Sequence, residues 1–380
     1  MKKMVKMLII LLSTMIILII IKAGWVAYAT GGQGLFENEK KDVIYRANYL
    51  ISKVAISPQQ LLNEMPSGIG KQFQGEWALY TCSMTCAALT NIAILYPQNR
   101  DLSIRIISDI IEIAMSSDLR EYDYIRWGED PLEGIAGELS HISYYSHLAW
   151  MISGYKQIGG DSKYDDIYHS LCKAMNRRIR QSPNMNIPTY PGESIYLPDM
   201  LVAIVALANY SRQNHDEFTA TVKMWVEKAK TEWIDRNTGL LVSFLPDDDL
   251  LKGSYSALNC YYLTFIDDSF AKDQYNKLKK FFLQTWPVMG FKEYYDRSCW
   301  LGMDIDAGPV IINLSSSGTA FAIGPATYFN DTKVRKGLLR TAEIAGTTVT
   351  WFGKSHYLLA NIALVGEAIL LAMRTTTKWV

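Results

Sequence analysis

The chain has 380 residues, enough for one large domain or two ordinary ones. Lys+Arg and Asp+Glu balance at 38 each, so there is no basic surplus of the kind that draws a protein to nucleic acid. Hydrophobic residues make up 49%, and 23 tyrosines with 10 tryptophans suit either a dense core or an aromatic-lined pocket for a small-molecule or oligosaccharide partner.

Residues 1–29 read as a targeting segment. Lys2, Lys3 and Lys6 form a basic start, residues 7–21 are apolar apart from Ser13 and Thr14, and Ala27-Tyr28-Ala29 has the small-residue pattern of a signal-peptidase site. The apolar run is long for a cleaved signal and short for a spanning helix, so a signal peptide and a retained membrane anchor are both expected readings. In either case the basic start stays in the cytoplasm and the rest is exported, secreted or periplasmic if cleaved and membrane-tethered if not. Residues 30–35 form a linker.

Beyond it, segments with one charged face alternate with segments almost free of charge. The charged-faced ones are 37–54, 102–119, 163–180, 217–233, 272–284 and 333–345. The apolar ones are 76–96, 139–154, 197–210, 255–265, 309–328 and 357–373. Only 240–245 and 287–294 look strand-like. Half-exposed helices alternating with fully buried ones predict an all-α fold of two concentric rings, the (α/α)6 toroid, filling residues 36–380 as a single domain. A helical bundle and an α-solenoid are the competing architectures. Glycines before the apolar runs (Gly75, Gly137, Gly192, Gly253, Gly308 and Gly353) recur like a repeated hairpin entry, and Gly308-Pro309 in particular predicts a helix start.

Parallel inner helices would bring their first turns to one rim. That rim would collect Glu76, Trp77 and Tyr80, then Glu138, His141, Tyr144 and His147, then Glu193, Tyr196 and Asp199, then Tyr255, Asp304, Asp306, Trp351 and His356. Carboxylates at helix starts also serve as caps, worth about 0.3–1 kcal/mol each, which is the structural alternative for any one of them. Together with rings and histidines they suggest acid–base chemistry. Glu193, held between Tyr190 and Tyr196 on a rigid Pro/Gly loop, is expected as a general acid and Asp304 or Asp306 as the base, with His141 a further proton carrier. Trp77, Tyr80, Glu138, Tyr144, Tyr196, Asp199, Tyr255, Trp351 and His356 are expected to bind substrate.

No cofactor or metal is expected. His141 and His147 do not share a helical face, and the five cysteines (Cys82, Cys86, Cys172, Cys260 and Cys299) have neither zinc spacing nor a disulfide pattern, so they read as buried thiols. Asp247-Asp248-Asp249 reads as a solvated loop in preference to a calcium site.

Two stretches resemble known families. Trp233-Ile234-Asp235-Arg236-Asn237-Thr238-Gly239-Leu240-Leu241 resembles the aspartate…Thr-Gly-Leu turn between hairpins of six-hairpin glycosidases. Residues 139–165, with Tyr144-Tyr145-Ser146-His147-Leu148, Tyr155 and Gly160-Asp161-Ser162-Lys163-Tyr164-Asp165, are similar to a stretch of the linalool dehydratase-isomerase family, itself an (α/α)6 barrel. In that family a histidine, tyrosines, an aspartate and cysteines act on an allylic alcohol. Its Cys-Glu-Pro run is replaced here by Tyr190-Pro191-Gly192-Glu193, so only Glu193 carries over.

Three functions follow. The first is a carbohydrate-active enzyme of glycosidase type, working with opposed carboxylates and aromatic platforms. The second is a lyase or isomerase on an isoprenoid-like alcohol, and the third a non-catalytic binding or assembly protein of the cell envelope. Paired acids beside flat rings favour the first, and an acid with His and Tyr in an apolar pocket the second.

Overall fold

A computed structural model describes residues 2–31, 39–66, 68, 70–215, 217–246, 251–304, 307–358 and 364–379. The described chain is mostly helical, with fifteen α-helices and a few short strands. Helix α1 (Lys2–Gly31) is the apolar N-terminal segment. It is followed by α2 (Glu39–Val54), α3 (Pro58–Asn63), α4 (Lys71–Leu95), α5 (Arg100–Ala114), α6 (Ser117–Trp127), α7 (Ile142–Gln157) and α8 (Asp165–Gln181). Then come α9 (Leu197–Gln213), α10 (Thr219–Thr231), α11 (Gly253–Leu263), α12 (Asp268–Phe282), α13 (Ser316–Tyr328), α14 (Thr332–Gly346) and α15 (Leu364–Arg374).

Among the described residues, two helices are long and apolar enough to cross a membrane: Val5–Val26 within α1, near the N-terminus and not packed inside the protein, and α4, which is mostly buried. The second is a core helix. Its neighbours are set by composition, because helices with no polar face must be covered all round. Every residue of Ile142–Tyr155 in α7 is buried, as are Leu197–Ser211 in α9 and all of α11. These helices pack in order, α4 on α7, α7 on α9, α9 on α11, α11 on α13 and α13 on α15, and α15 packs back on α4. The amphipathic helices lie against them: α5 on α4 and α7, α8 on α7 and α9, α10 on α9, α12 on α11, α14 on α13, and α2 on α4 and α15.

Capping follows the sequence. Asp267 accepts from Phe270 N at 2.9 Å to start α12, and Ser315 from Gly318 N at 3.1 Å to start α13. Such caps contribute about 1 kcal/mol each. In the turn after α10, Asp235 Oδ1 accepts from Thr238 N at 2.7 Å and Thr238 Oγ1 at 2.6 Å, and Gly239 takes the left-handed conformation at φ 72°. That turn delivers the chain to β2 (Phe244–Leu245), antiparallel to β1 (Ile195–Tyr196). Between α7 and α8, Asp161 Oδ1 accepts from Tyr155 Oη and Lys163 N, both at 3.0 Å. A Cβ at Gly160 would stand 2.2 Å from the Tyr155 ring, so only glycine fits there.

The expected helix start at Pro309 is corrected. Strands β3 (Leu283–Gln284) and β4 (Gly290–Phe291) pair, and β5 (Leu301–Asp304), β6 (Gly308–Ile311) and β7 (Leu314–Ser315) form a meander in which Met303 pairs with Pro309. Gly308 at φ 68° reverses the chain into β6, and the helix begins seven residues after Pro309, at Ser316. Likewise Gly353 lies in the turn between β8 (Thr348–Trp351) and β9 (Lys354–Tyr357), so the chain after it is a strand and not a helix. Gly75 is inside α4, where a Cβ would lie 2.5 Å from that of Tyr122. Of the six glycines, Gly253 is the one that opens its helix. Cys82, Cys86, Cys172 and Cys260 are buried free thiols, and Cys299 is half-buried.

Candidate functional site

The buried helices converge on a cavity of about 1110 Å³. Helix α4 contributes Glu76, Trp77 and Tyr80; α7 contributes Ser143 and His147; α9 contributes Asp199; α11 contributes Ser254, Tyr255 and Tyr262. Helical spacing explains the selection. Glu76 and Tyr80, like Ser143 and His147, stand four residues apart and share a face. The loop before α9 adds Thr189, Tyr190 and Glu193.

The polar groups concentrate at one pole. Thr189 Oγ1 donates to Asp199 Oδ2 at 2.9 Å, orienting that nearly buried carboxylate. Tyr190 is buried beside Ser143, and burial followed by the negative field of Glu76, Tyr122 and Asp199 pushes its hydroxyl well above its usual pKa. Burial likewise raises Tyr80 and Tyr262, and Asp199 adds to both shifts. Burial alone lowers His147 to about 3, so its imidazole is neutral near pH 7. Its Nδ1 lies 2.9 Å from Ser83 Oγ, and its ring meets Tyr80 edge-on at 5.1 Å. This pole therefore presents neutral hydroxyls and imidazole beside two carboxylates.

At the mouth, Tyr196, Phe244 and Tyr255 form a mutual aromatic cluster with ring separations of 5.1, 5.4 and 5.6 Å. Glu193 is exposed there, with Arg126 Nη1 at 3.4 Å. The same guanidinium lies 4.3 Å over the Tyr190 ring. Glu193 thus faces a cation and solvent rather than being enclosed by rings.

The rest of the wall is apolar, built by Val288, Ile312, Leu314, Ile323, Ile344 and Ile369 among others. Within it sits Glu367, whose pKa burial raises to about 7, an effect that the nearby Arg46 opposes. Arg46 Nη1 is 3.5 Å from Glu367 Oε2, and the Tyr357 amide donates to Oε1.

Eight residues singled out from the sequence line this cavity: Glu76, Trp77, Tyr80, His147, Glu193, Tyr196, Asp199 and Tyr255. Six others are placed elsewhere. His141 is fully buried between α6 and α7, its Nδ1 2.5 Å from Asp123 Oδ2 and its Nε2 3.5 Å from Glu129 Oε2. Tyr144 donates to the Ala114 carbonyl at 3.0 Å, fastening α7 to α5. Glu138 is exposed, 3.7 Å from Arg177. Asp304 accepts from Lys252 Nζ at 2.6 Å and from Ala307 N at 3.1 Å, an anchor for the β5–β6 turn. Trp351 is exposed at a hairpin tip, and His356 stacks on Tyr49 at 4.3 Å. Asp306 and Asp247-Asp248-Asp249 lie outside the described residues.

Sequence reasoning passed over Glu367 and left His147 without a role. The signal for Glu367 was there, as the sole acid in the apolar run Leu364–Arg374. A buried carboxylate, Glu293, also stands behind the α11 start, accepting from Ser254 Oγ at 2.8 Å, with its pKa raised by burial.

Neither a protein-family model nor a curated protein matches this chain.

Proposed function

We propose that this protein is an exported, membrane-tethered lyase or isomerase that transforms a mostly apolar alcohol, of the isoprenoid type, by acid–base chemistry. The observation that carries the reading is the division of the cavity into an extended apolar wall and one compact pole of Asp199, Glu76, His147 and buried tyrosines. An apolar body with a single hydroxyl matches that division. The hydroxyl would sit at the pole, accepting from neutral tyrosines and reaching the carboxylates, while the carbon chain covers the wall.

The step requires a proton delivered to the hydroxyl oxygen as its C–O bond breaks, and a proton removed from a neighbouring carbon. Water leaves and an alkene forms; return of the same water at another carbon gives isomerisation. Asp199 and Glu76 are the proton-transferring candidates, and His147 with Tyr80, Tyr190 and Tyr262 orient the oxygen. The helix contacts support an (α/α)6 toroid as the scaffold, because α4, α7, α9, α11, α13 and α15 contact one another in a cycle with the amphipathic helices outside.

A carbohydrate-active enzyme is the second reading. It is favoured by three carboxylates, Glu76, Glu193 and Asp199, in one cavity with Trp77 and the Tyr196–Phe244–Tyr255 cluster. The deciding experiment incubates the full chain in detergent with allylic terpenoid alcohols and, separately, with a glycan panel, in D₂O. The proposal expects alkene free of deuterium, or rearranged alcohol with deuterium on the carbon that is protonated as water returns to the alkene. Glycan cleavage with no alcohol turnover would replace it with the second reading.

A further inference from the structure

The apolar span Val5–Val26 of α1 covers 22 residues. At ~1.5 Å per residue that is about 33 Å, the thickness of a bilayer's hydrocarbon core. Helix α1 meets the rest of the protein at its C-terminal end, where it packs on α14 and Lys22 Nζ donates to Thr347 Oγ1. Thr347 is also the residue from which β8 departs. The β8–β9 hairpin is therefore joined at its base to the end of the apolar helix.

That hairpin carries Trp351 and Phe352 at its tip, Phe352 89% exposed. Phe352 and Gly353 both have positive φ, at 45° and 73°. Such a two-residue turn ordinarily takes Asn-Gly, because a bulky side chain is strained in the left-handed region. Here the strained position holds a phenyl ring that meets the neighbouring Trp351 edge-on at 5.0 Å and is otherwise open to solvent. Strain with so little contact to offset it inside the chain points to a contact outside it.

Other exposed apolar side chains lie on the β3–β4 loop and on β5. Trp286, 80% exposed, lies between β3 and β4, in a loop held to α14 by Thr341 Oγ1 donating to Met289 O at 2.5 Å. Leu301 and Met303, 81% and 79% exposed, project from one face of β5. Their partner strand β6 supplies Pro309 and Ile311, which are exposed and line the cavity together with Ala345 and Gly346 at the end of α14.

We propose that this face, the tip of β8–β9, the exposed side of the β5 and β6 strands and the Trp286 loop, seats in the interfacial layer of the lipid bilayer that α1 crosses. Lipid is the occupant because the apolar helix and the hairpin share a base, so the tip stays within reach of the membrane at all times. Tryptophan with flanking lysine, here Trp351 and Lys354, is also a side-chain pairing that suits the headgroup boundary. Seated this way, the cavity edge formed by Pro309 and Ile311 meets the lipid. The inference holds whatever chemistry the cavity performs.

The test uses the full chain carrying Cys299→Ser, reconstituted in phosphatidylcholine–phosphatidylglycerol vesicles. Single cysteines replace Phe352, Met303 or, as a control outside this face, the exposed Lys173 of α8, each labelled with an environment-sensitive fluorophore. Lipids bearing bromine on their acyl chains should quench the labels at 352 and 303 at least fivefold more than the label at 173. Equal quenching at all three sites would overturn the proposal, as would water-like emission from 352 and 303. Two independent positions, one at the β8–β9 tip and one on β5, guard against one label perturbing its own hairpin.

Discussion

Tyr262 on α11 donates its hydroxyl to that of Tyr80 on α4, 3.4 Å away. In the order of helix contacts these two helices are separated by α7 and α9, so the bond crosses the interior rather than joining neighbours. It places two neutral phenols beside His147 and Asp199, and it explains why residues 182 positions apart act on one cavity.

Asp199→Asn is expected to lower turnover of the alcohol substrate by roughly 10²–10⁴, because it removes the proton-transferring group and keeps an acceptor for Thr189. Glu193→Gln, at the exposed mouth, should cost less than about tenfold, as exposed ion pairs contribute little. Steady-state rates with unchanged melting temperatures check both. A larger loss for Glu193→Gln would move the acid to the mouth.

His147 makes stability fall on mild acidification. Its native pKa of about 3 lies below the ordinary 6.5, so between those values the unfolded chain binds a proton that the native state refuses. Stability therefore drops as pH falls through that window, by about 2 kcal/mol at pH 5 relative to neutral pH. His147→Gln should flatten this dependence in urea titrations at pH 7.5 and 5.

Glu367 acts in the opposite direction. Its native pKa of about 7 lies above the usual 4.5, so its contribution is greatest below pH 4.5 and is lost as pH rises to 7. The full loss is on the order of 3 kcal/mol. Glu367→Gln should remove it, leaving a protein whose melting temperature changes less between pH 5 and 8 than that of the natural chain.

Asp304→Asn should act on stability and not on chemistry. It weakens the ion pair with Lys252, in which both side chains are largely buried, and keeps an acceptor for Ala307 N. A loss of roughly 1–2 kcal/mol with turnover within a few-fold is the expected result. A hundredfold rate loss at unchanged stability would restore it as a catalytic base.

Gly75→Ala should destabilise by about 1–3 kcal/mol, since the added methyl would meet Tyr122 and push α4 from α6. Chemical denaturation measures this directly. A neutral effect would mean that the two helices separate easily.

The sequence by itself determined the alternation of amphipathic and fully buried helices, the apolar N-terminus and the Asp235–Gly239 turn. All three depend on periodicity or on side chains bonding backbone within a few residues, which are local. It also brought Asp199, Glu193 and Tyr80 forward, because acids and rings at the edge of apolar runs are visible locally, although the helix starts themselves mostly lie elsewhere. Only the tertiary structure decided where each acid points. Asp304 meets Lys252, 52 residues away, and His141 meets Asp123 on another helix, pairings that no local pattern encodes. Pro309 looked like a helix entry, yet pairing with Met303 across a tight reversal made it a strand. Glu367 is an unremarkable acid in an apolar run until burial in the cavity wall, against the opposing pull of Arg46 from the far end of the chain, gives it a proton to exchange near neutral pH.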